Sequence, residues 1–157
     1  MANYSISNTL AGTQQATSSA YKTLLSVTGA ASNPRRTKVY DVMVGTLGTP
    51  ADQSYEFDIS RQTAAGTSTV VTPNPLDPAD AAAISVCAAN YTAEGTITAA
   101  SDVWYIGMNQ RASYRWVASP GSELLTPATS AAGLSLRARS VSGGTVTCTG
   151  AFLFQEQ

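Results

Sequence analysis

The sequence contains no histidine at all. That absence removes Ser-His-Asp and Cys-His activation of a nucleophile. It equally removes the histidine-based zinc, copper and non-haem iron sites. Cysteine is nearly as scarce: Cys87 and Cys148 are the only two, far apart and in no CxxC arrangement, so a four-thiolate zinc site is excluded. In a reducing compartment the expectation is two buried free thiols, although spacing alone leaves a disulfide between them open. No GxxxxGK[ST] loop is present for a phosphate, and no GxGxxG follows a strand. No apolar run approaches the roughly 18 residues of a membrane span. Met1-Ala2-Asn3-Tyr4-Ser5 offers neither a basic n-region nor an apolar h-region, so the expectation is a chain made in a cytoplasm and kept soluble, with no membrane partner.

Charge is also sparse. Charged residues make up 12% of the chain, about half the usual share. Nine basic and ten acidic residues leave a formal charge of −1, and phosphate backbones demand clustered Lys and Arg, so no nucleic-acid partner is expected. Arg35, Arg36 and Lys38 form the one basic cluster. It reads as an exposed strand entrance, with contact to a small anion as the alternative.

What fills the space is Ser, Thr, Ala and Gly around an ordinary hydrophobic fraction of 43%. Such a surface costs little to desolvate and suits a protein that lies against other proteins. The dominant pattern is period-2 alternation, which gives a strand one buried and one exposed face. Tyr55, Phe57 and Ile59 oppose Glu56, Asp58 and Ser60; Leu134, Leu136 and Ala138 oppose Ser135, Arg137 and Arg139. Val146, Cys148, Phe152 and Phe154 share a face, and Tyr114 and Trp116 oppose Ser113 and Arg115. Weaker strand signals cover Tyr21–Val27 (with Tyr21, Thr23, Leu25 and Val27 on one face), Lys38–Val44, Thr67–Thr72, Gly95–Ala99 and Val103–Met108. Roughly eight to ten short strands separated by turn residues predict an all-β fold, a β-sandwich or jelly roll. One short helix is expected after Asp77, where an N-cap residue precedes Pro78 and Asp80 falls in the first turn. Thr72–Ala83 reads as a crossover between sheets. Residues 1–20 are small and polar and read as an N-terminal arm, leaving 21–157 as a single β-sandwich domain.

The remaining catalytic option is a carboxylate pair. Glu56 and Asp58 fall on one strand face about 7 Å apart by the strand rise, within the broad range of glycosidase pairs. Lys38 or Arg61 would serve as cross-strand ion-pair partners on a solvated face. Among the aromatics, Tyr114 and Trp116 read as core. Trp104 reads as an outward interface anchor, because Val103 and Tyr105 already supply an apolar face. Asn90-Tyr91-Thr92 matches a glycosylation sequon, without a secretory signal to give it meaning.

Beyond these patterns, four stretches resemble a family of small proteins encoded in the structural gene clusters of tailed bacteriophages. They are Lys38-Val39-Tyr40-Asp41-Val42-Met43-Val44-Gly45, Thr72-Pro73-Asn74-Pro75-Leu76-Asp77-Pro78-Ala79-Asp80, Asn109-Gln110-Arg111-Ala112-Ser113-Tyr114-Arg115-Trp116-Val117-Ala118, and Pro120-Gly121-Ser122-Glu123-Leu124. Gly133-Leu134-Ser135-Leu136-Arg137 and the terminal Phe152-Leu153-Phe154-Gln155-Glu156 also fit, so the resemblance runs from about Tyr21 to the end and leaves out the first 20 residues. It implies a capsid cement (decoration) protein. Such a protein is a β-sandwich or jelly roll that sits as a homotrimer on the outer surface of the virion head and clamps neighbouring major capsid proteins. It implies no catalytic residue, cofactor, metal or small-molecule substrate, and so no enzyme. Other virion roles stay open: a head-fibre base, a tail or baseplate component, or a carbohydrate-binding tip. A bacterial or prophage β-sandwich of another role, an enzyme included, also stays open. Tyr4, Ile6, Thr46, Leu47, Trp104, Pro120 and Ser122 are the residues expected to make protein contacts.

Overall fold

The structure, a computed structural model, describes residues 1–12 and 14–157, so Thr13 of the expected arm lies outside the described residues. Two antiparallel sheets pack face to face as a β-sandwich. In chain order the strands are β1 (Asn3–Ser7), β2 (Ala16–Thr17), β3 (Lys22–Thr28), β4 (Thr37–Leu47), β5 (Ser54–Ala64), β6 (Thr67–Val71), β7 (Asn74–Pro75), β8 (Val86–Ala93), β9 (Thr96–Asn109), β10 (Tyr114–Val117), β11 (Leu124–Leu125), β12 (Gly133–Ser140) and β13 (Val146–Glu156). The first sheet runs β10-β4-β13-β1-β7, with β11 also on β4 and β2 also on β13. The second runs β6-β8-β3-β12-β5-β9.

The alternating segments become the central strands because each has an apolar row to bury. Val42, Val44, Phe152 and Phe154 of the first sheet face Leu134, Leu136, Phe57 and Ile59 of the second, and all of them are buried in one core. β13 and β12 sit at the middle of their sheets, paired on both edges. Gly150 lets the sheets approach closely, since a Cβ there would stand 2.3 Å from Cδ2 of Leu136.

Four expectations are corrected. First, residues 1–20 are not set apart from the domain. β1 is an interior strand, with Tyr4 opposite Phe154 on one side and Pro75 on the other. Tyr4 and Ile6 belong to the core, and the Tyr4 ring stacks on Phe154 with centroids 5.5 Å apart. Asn8, in the short 3-10 helix Asn8–Ala11, ties the segment down further. Its buried amide donates to the Cys148 carbonyl at 2.9 Å and to Oδ1 of Asn90 at 3.3 Å, and accepts from the Gly150 amide at 2.9 Å. A polar residue is tolerated at 0% exposure because its hydrogen-bonding groups are met.

Second, no helix follows Asp77. Asp77 does cap a turn, accepting from the Ala79 amide at 2.9 Å through Oδ1 and from the Asp80 amide at 3.0 Å through its carbonyl. The chain then extends. The Ala81 carbonyl accepts from the Tyr4 hydroxyl at 2.9 Å, and the Ile84 and Ser85 amides donate to the buried Glu156 carboxylate at 3.1 and 2.6 Å. A nascent helix of one or two turns gains little, because nucleation fixes three residues for one hydrogen bond, so these tertiary partners prevail. The Thr72–Ala83 segment does cross between the sheets: it leaves β6, pairs with β1 as β7, and returns to β8.

Third, Tyr21 and Thr23 do not share a face with Leu25 and Val27. A bulge opposite Leu136 and Arg137 shifts the register, so that Leu24 and Leu25 both enter the core while Thr23 pairs with Arg137. Fourth, the expected strands Gly95–Ala99 and Val103–Met108 merge, from Thr96 onward, into one long edge strand, β9. It is broken by register shifts between Ile59 and Ala64 of its partner, with Ala100 at φ 51°.

Candidate functional site

The outer face of the second sheet carries a cross-strand array of charges. On β5, Glu56, Asp58 and Ser60 project outward, in register with Arg139, Arg137 and Ser135 of β12. Glu56 and Asp58 therefore do share a face, but their partners are Arg139 and Arg137 rather than Lys38 or Arg61. The reason is register: β12 is the direct neighbour of β5, and cross-strand pairs form between directly opposed or diagonal residues. Arg137 donates through Nε to Asp58 Oδ1 at 2.9 Å and through Nη2 to Ser60 Oγ at 2.8 Å. Asp102 of β9 accepts from Ser60 Oγ at 2.6 Å. The two guanidinium groups lie over the Tyr21 ring, 4.5 and 4.6 Å from its centroid.

The array sets the acid–base character of its members. Hydrogen bonding from Arg139 holds the Glu56 carboxyl below its ordinary value, against a smaller opposing effect of burial. Burial pushes the Asp58 carboxyl up by more than Arg137 draws it down. Burial, with Asp58 and Glu56 alongside, raises the Tyr21 hydroxyl to about 12. Each carboxylate of the pair is already engaged by an arginine, which leaves the arrangement suited to clasping β5 to β12. Among the described residues no group of three metal-ligating side chains forms.

The outer face of the first sheet is different in kind. Along β4, β10 and β13 it presents Met43, Val117, Ala151 and Leu153 beside Gly45 and Thr149. Among the described residues its one ion pair joins Arg115 to Asp41, through Nε at 3.0 and 3.1 Å and Nη2 at 2.5 Å. At the end near the β4–β5 turn the surface dips into a groove of about 520 Å³, bounded by Ser7, Met43, Leu47, Ser113, Tyr114 and Ala151. Leu47 at this end is 47% exposed and Val117, further along the face opposite Asp41, 58%, so the face carries uncovered apolar surface.

The expected contact residues divide across these features. Thr46 and Leu47 both line the groove, with the Thr46 hydroxyl donating to the Gln110 carbonyl at 2.5 Å. Pro120 and Ser122 are exposed in the turn between β10 and β11, which is closed by the Ser122 amide on the Ser119 carbonyl at 2.8 Å. Tyr4 and Ile6 sit in the core and are not available to a partner. Trp104 is reversed relative to expectation. It stands opposite Ile59 and packs against the core, with its ring 6.3 Å from that of Tyr114 across the two sheet edges. Tyr105 is the outward residue, 54% exposed, its hydroxyl donating to Glu56 at 2.9 Å. Tyr114 and Trp116 do point inward, opposite Val44 and Val42, although Tyr114 stays partly exposed at the edge. Met43, Tyr114 and Ala151 were missed as surface residues because alternation says which residues share a face, not which face a neighbour leaves bare. Neither the models of known protein families nor the curated proteins contain a match to this chain.

Proposed function

We propose that this protein is a structural component of a tailed-phage virion, a capsid cement protein that binds the outside of the head as a trimer and bridges neighbouring major capsid proteins. The observation that supports the reading is the face of β4, β10 and β13: its apolar and small residues surround the Arg115–Asp41 pair, and it is grooved between Met43, Leu47 and Tyr114. Small and apolar side chains there lose little solvation when covered, so a modest contact forms at low cost. Repeated over a shell, modest contacts add through avidity. The motif resemblance from Tyr21 onward points to the same role.

A trimer would cover part of this face, and the turn carrying Pro120 and Ser122 would extend the contact towards capsid protein. Light scattering after gel filtration tests the assembly: three chains of 16.2 kDa give about 49 kDa. That mass should hold at about 1 M salt, where the Debye length is only about 3 Å. A monomer at all concentrations, free and on isolated heads, would reject the trimer. The alternative of a carbohydrate-binding tip rests on the partly exposed Tyr114, whose ring lies at the sheet edge beside the groove. Saturable binding of glycans at that ring, with no binding to heads, would favour it.

A further inference from the structure

Of the nine basic residues, Arg115, Arg137 and Arg139 are the ones that form ion pairs among the described residues. Two that do not, Arg36 and Arg61, line the same cleft of about 460 Å³ at one end of the sandwich. Its other walls include Gln62, Thr63, Thr98, Leu125, Pro127 and Ala132, and among the described residues no carboxylate lines it. One arginine comes from each sheet side: Arg61 from β5, Arg36 from the residue preceding β4.

The cleft is held open by backbone bonds. The Arg36 carbonyl accepts from the Gln157 amide at 3.0 Å, and Thr126 clasps Thr37 through its amide at 3.0 Å and its hydroxyl at 2.8 Å. The far rim is fixed where Gly29 donates to the Ala132 carbonyl at 3.0 Å and accepts from Ala131 at 2.9 Å. A Cβ on Gly29 would stand 2.3 Å from the Thr129 carbonyl oxygen, so the close approach needs glycine. Arg61 reaches across the gap, donating through Nη1 to the Leu125 carbonyl at 3.1 Å, which leaves its remaining N–H groups to other acceptors. Two arginines beside Leu125, Pro127 and Ala132, with threonine hydroxyls on the remaining walls, match one chemistry well: a carboxylate carried on a short carbon stem.

We propose that this cleft is a carboxylate-binding site, filled by the side chain of a Glu or Asp on another protein chain or by a free small carboxylate. The site does not depend on the cement reading and is tested on the isolated protein. Amide and arginine Nε–H resonances would be followed by NMR during titration with N-acetyl-glutamate α-amide, its glutamine isostere, propionate and inorganic phosphate. The expected result is saturable shifts at Thr98, Thr126, Gly133 and Arg61 for the carboxylates. The glutamine isostere should bind at least about tenfold more weakly, as should the carboxylates to Arg36→Gln and Arg61→Gln. Tighter binding of the blocked glutamate would assign the occupant to a protein chain, and tighter binding of propionate to a free carboxylate. Arg36→Gln removes no described side-chain bond, so it keeps the test valid even where Arg61→Gln disturbs the Leu125 contact. Equal shifts from the glutamine isostere, tighter binding of phosphate, or the absence of saturable shifts would overturn the proposal.

Discussion

Ile6→Ala should destabilise the whole domain, although it lies in a segment whose sequence reads as a polar arm. Ile6 is 2% exposed, and it stands opposite Phe152 on the central strand of the first sheet. The substitution removes three carbons, about 2.4 kcal/mol at roughly 0.8 kcal/mol per buried carbon. Incomplete collapse of the cavity brings the usual cost of such a change to about 2–5 kcal/mol. For a domain of this size each kcal/mol shifts the melting point by roughly 2–4 °C, so a fall of about 4–20 °C is expected. Deleting residues 1–7 should do more. It strips Tyr4 and Ile6 from the core, exposes an edge of β13, and leaves β7 without a neighbour. Far-ultraviolet circular dichroism with thermal melting, on full-length, substituted and truncated protein, reads all three. A truncated protein that melts cooperatively within a degree or two of full length would refute the reasoning and return the segment to the status of an arm.

Arg137→Met should cost about 3–5 kcal/mol at neutral pH, because it leaves Asp58, whose side chain is 1% exposed, charged and without its main partner. The loss, read by urea unfolding, should shrink in acid as Asp58 takes up a proton, and a pH-independent loss would contradict the assignment. Glu56 has the opposite sign to Asp58. Its folded carboxyl lies below the ordinary 4.5, so its contribution is present above that value and is lost as pH falls through the lower, folded one. Glu56→Gln should therefore flatten the fall in melting temperature below about pH 4.5, and an unchanged acid limb would count against the Arg139 pairing. Cys87 and Cys148 are buried free thiols, with burial raising Cys148 to about 11 and Cys87 further still. Thiol titration should find neither reactive in the folded protein and both after denaturation.

Much of the sandwich was legible because alternation is a local property. β5, β12 and β13 carry apolar rows long enough to declare both strand and inner face. What escaped depended on partners distant in sequence. β1 is short and flanked by polar residues, and its place becomes visible only when β13 and β7 stand on either side. β8 was hidden because Ala88, Ala89 and Asn90 have little strand character, and Asn90 adopts φ 52° within the strand. The turn after Asp77 carries a genuine capping signal, which the Glu156 carboxylate overrides from 71 and 72 residues away. For the candidate surface, the exposure of Leu47 was legible from its turn, whereas the outward placement of Trp104 was misread. The choice between Trp104 and Tyr105 is made by Ile59 on the neighbouring strand, not by either residue's own sequence surroundings.

The central proposal is that this protein binds the outside of a tailed-phage head. Electron cryomicroscopy of particles from the phage that carries the gene, reconstructed with and without the purified protein added to heads that lack it, tests it most directly. The account predicts added threefold density on the outer shell at junctions between capsomers, with the grooved face of β4, β10 and β13 covered and heads that retain DNA to a higher temperature. Density confined to the tail, or heads indistinguishable with and without the protein, would contradict it.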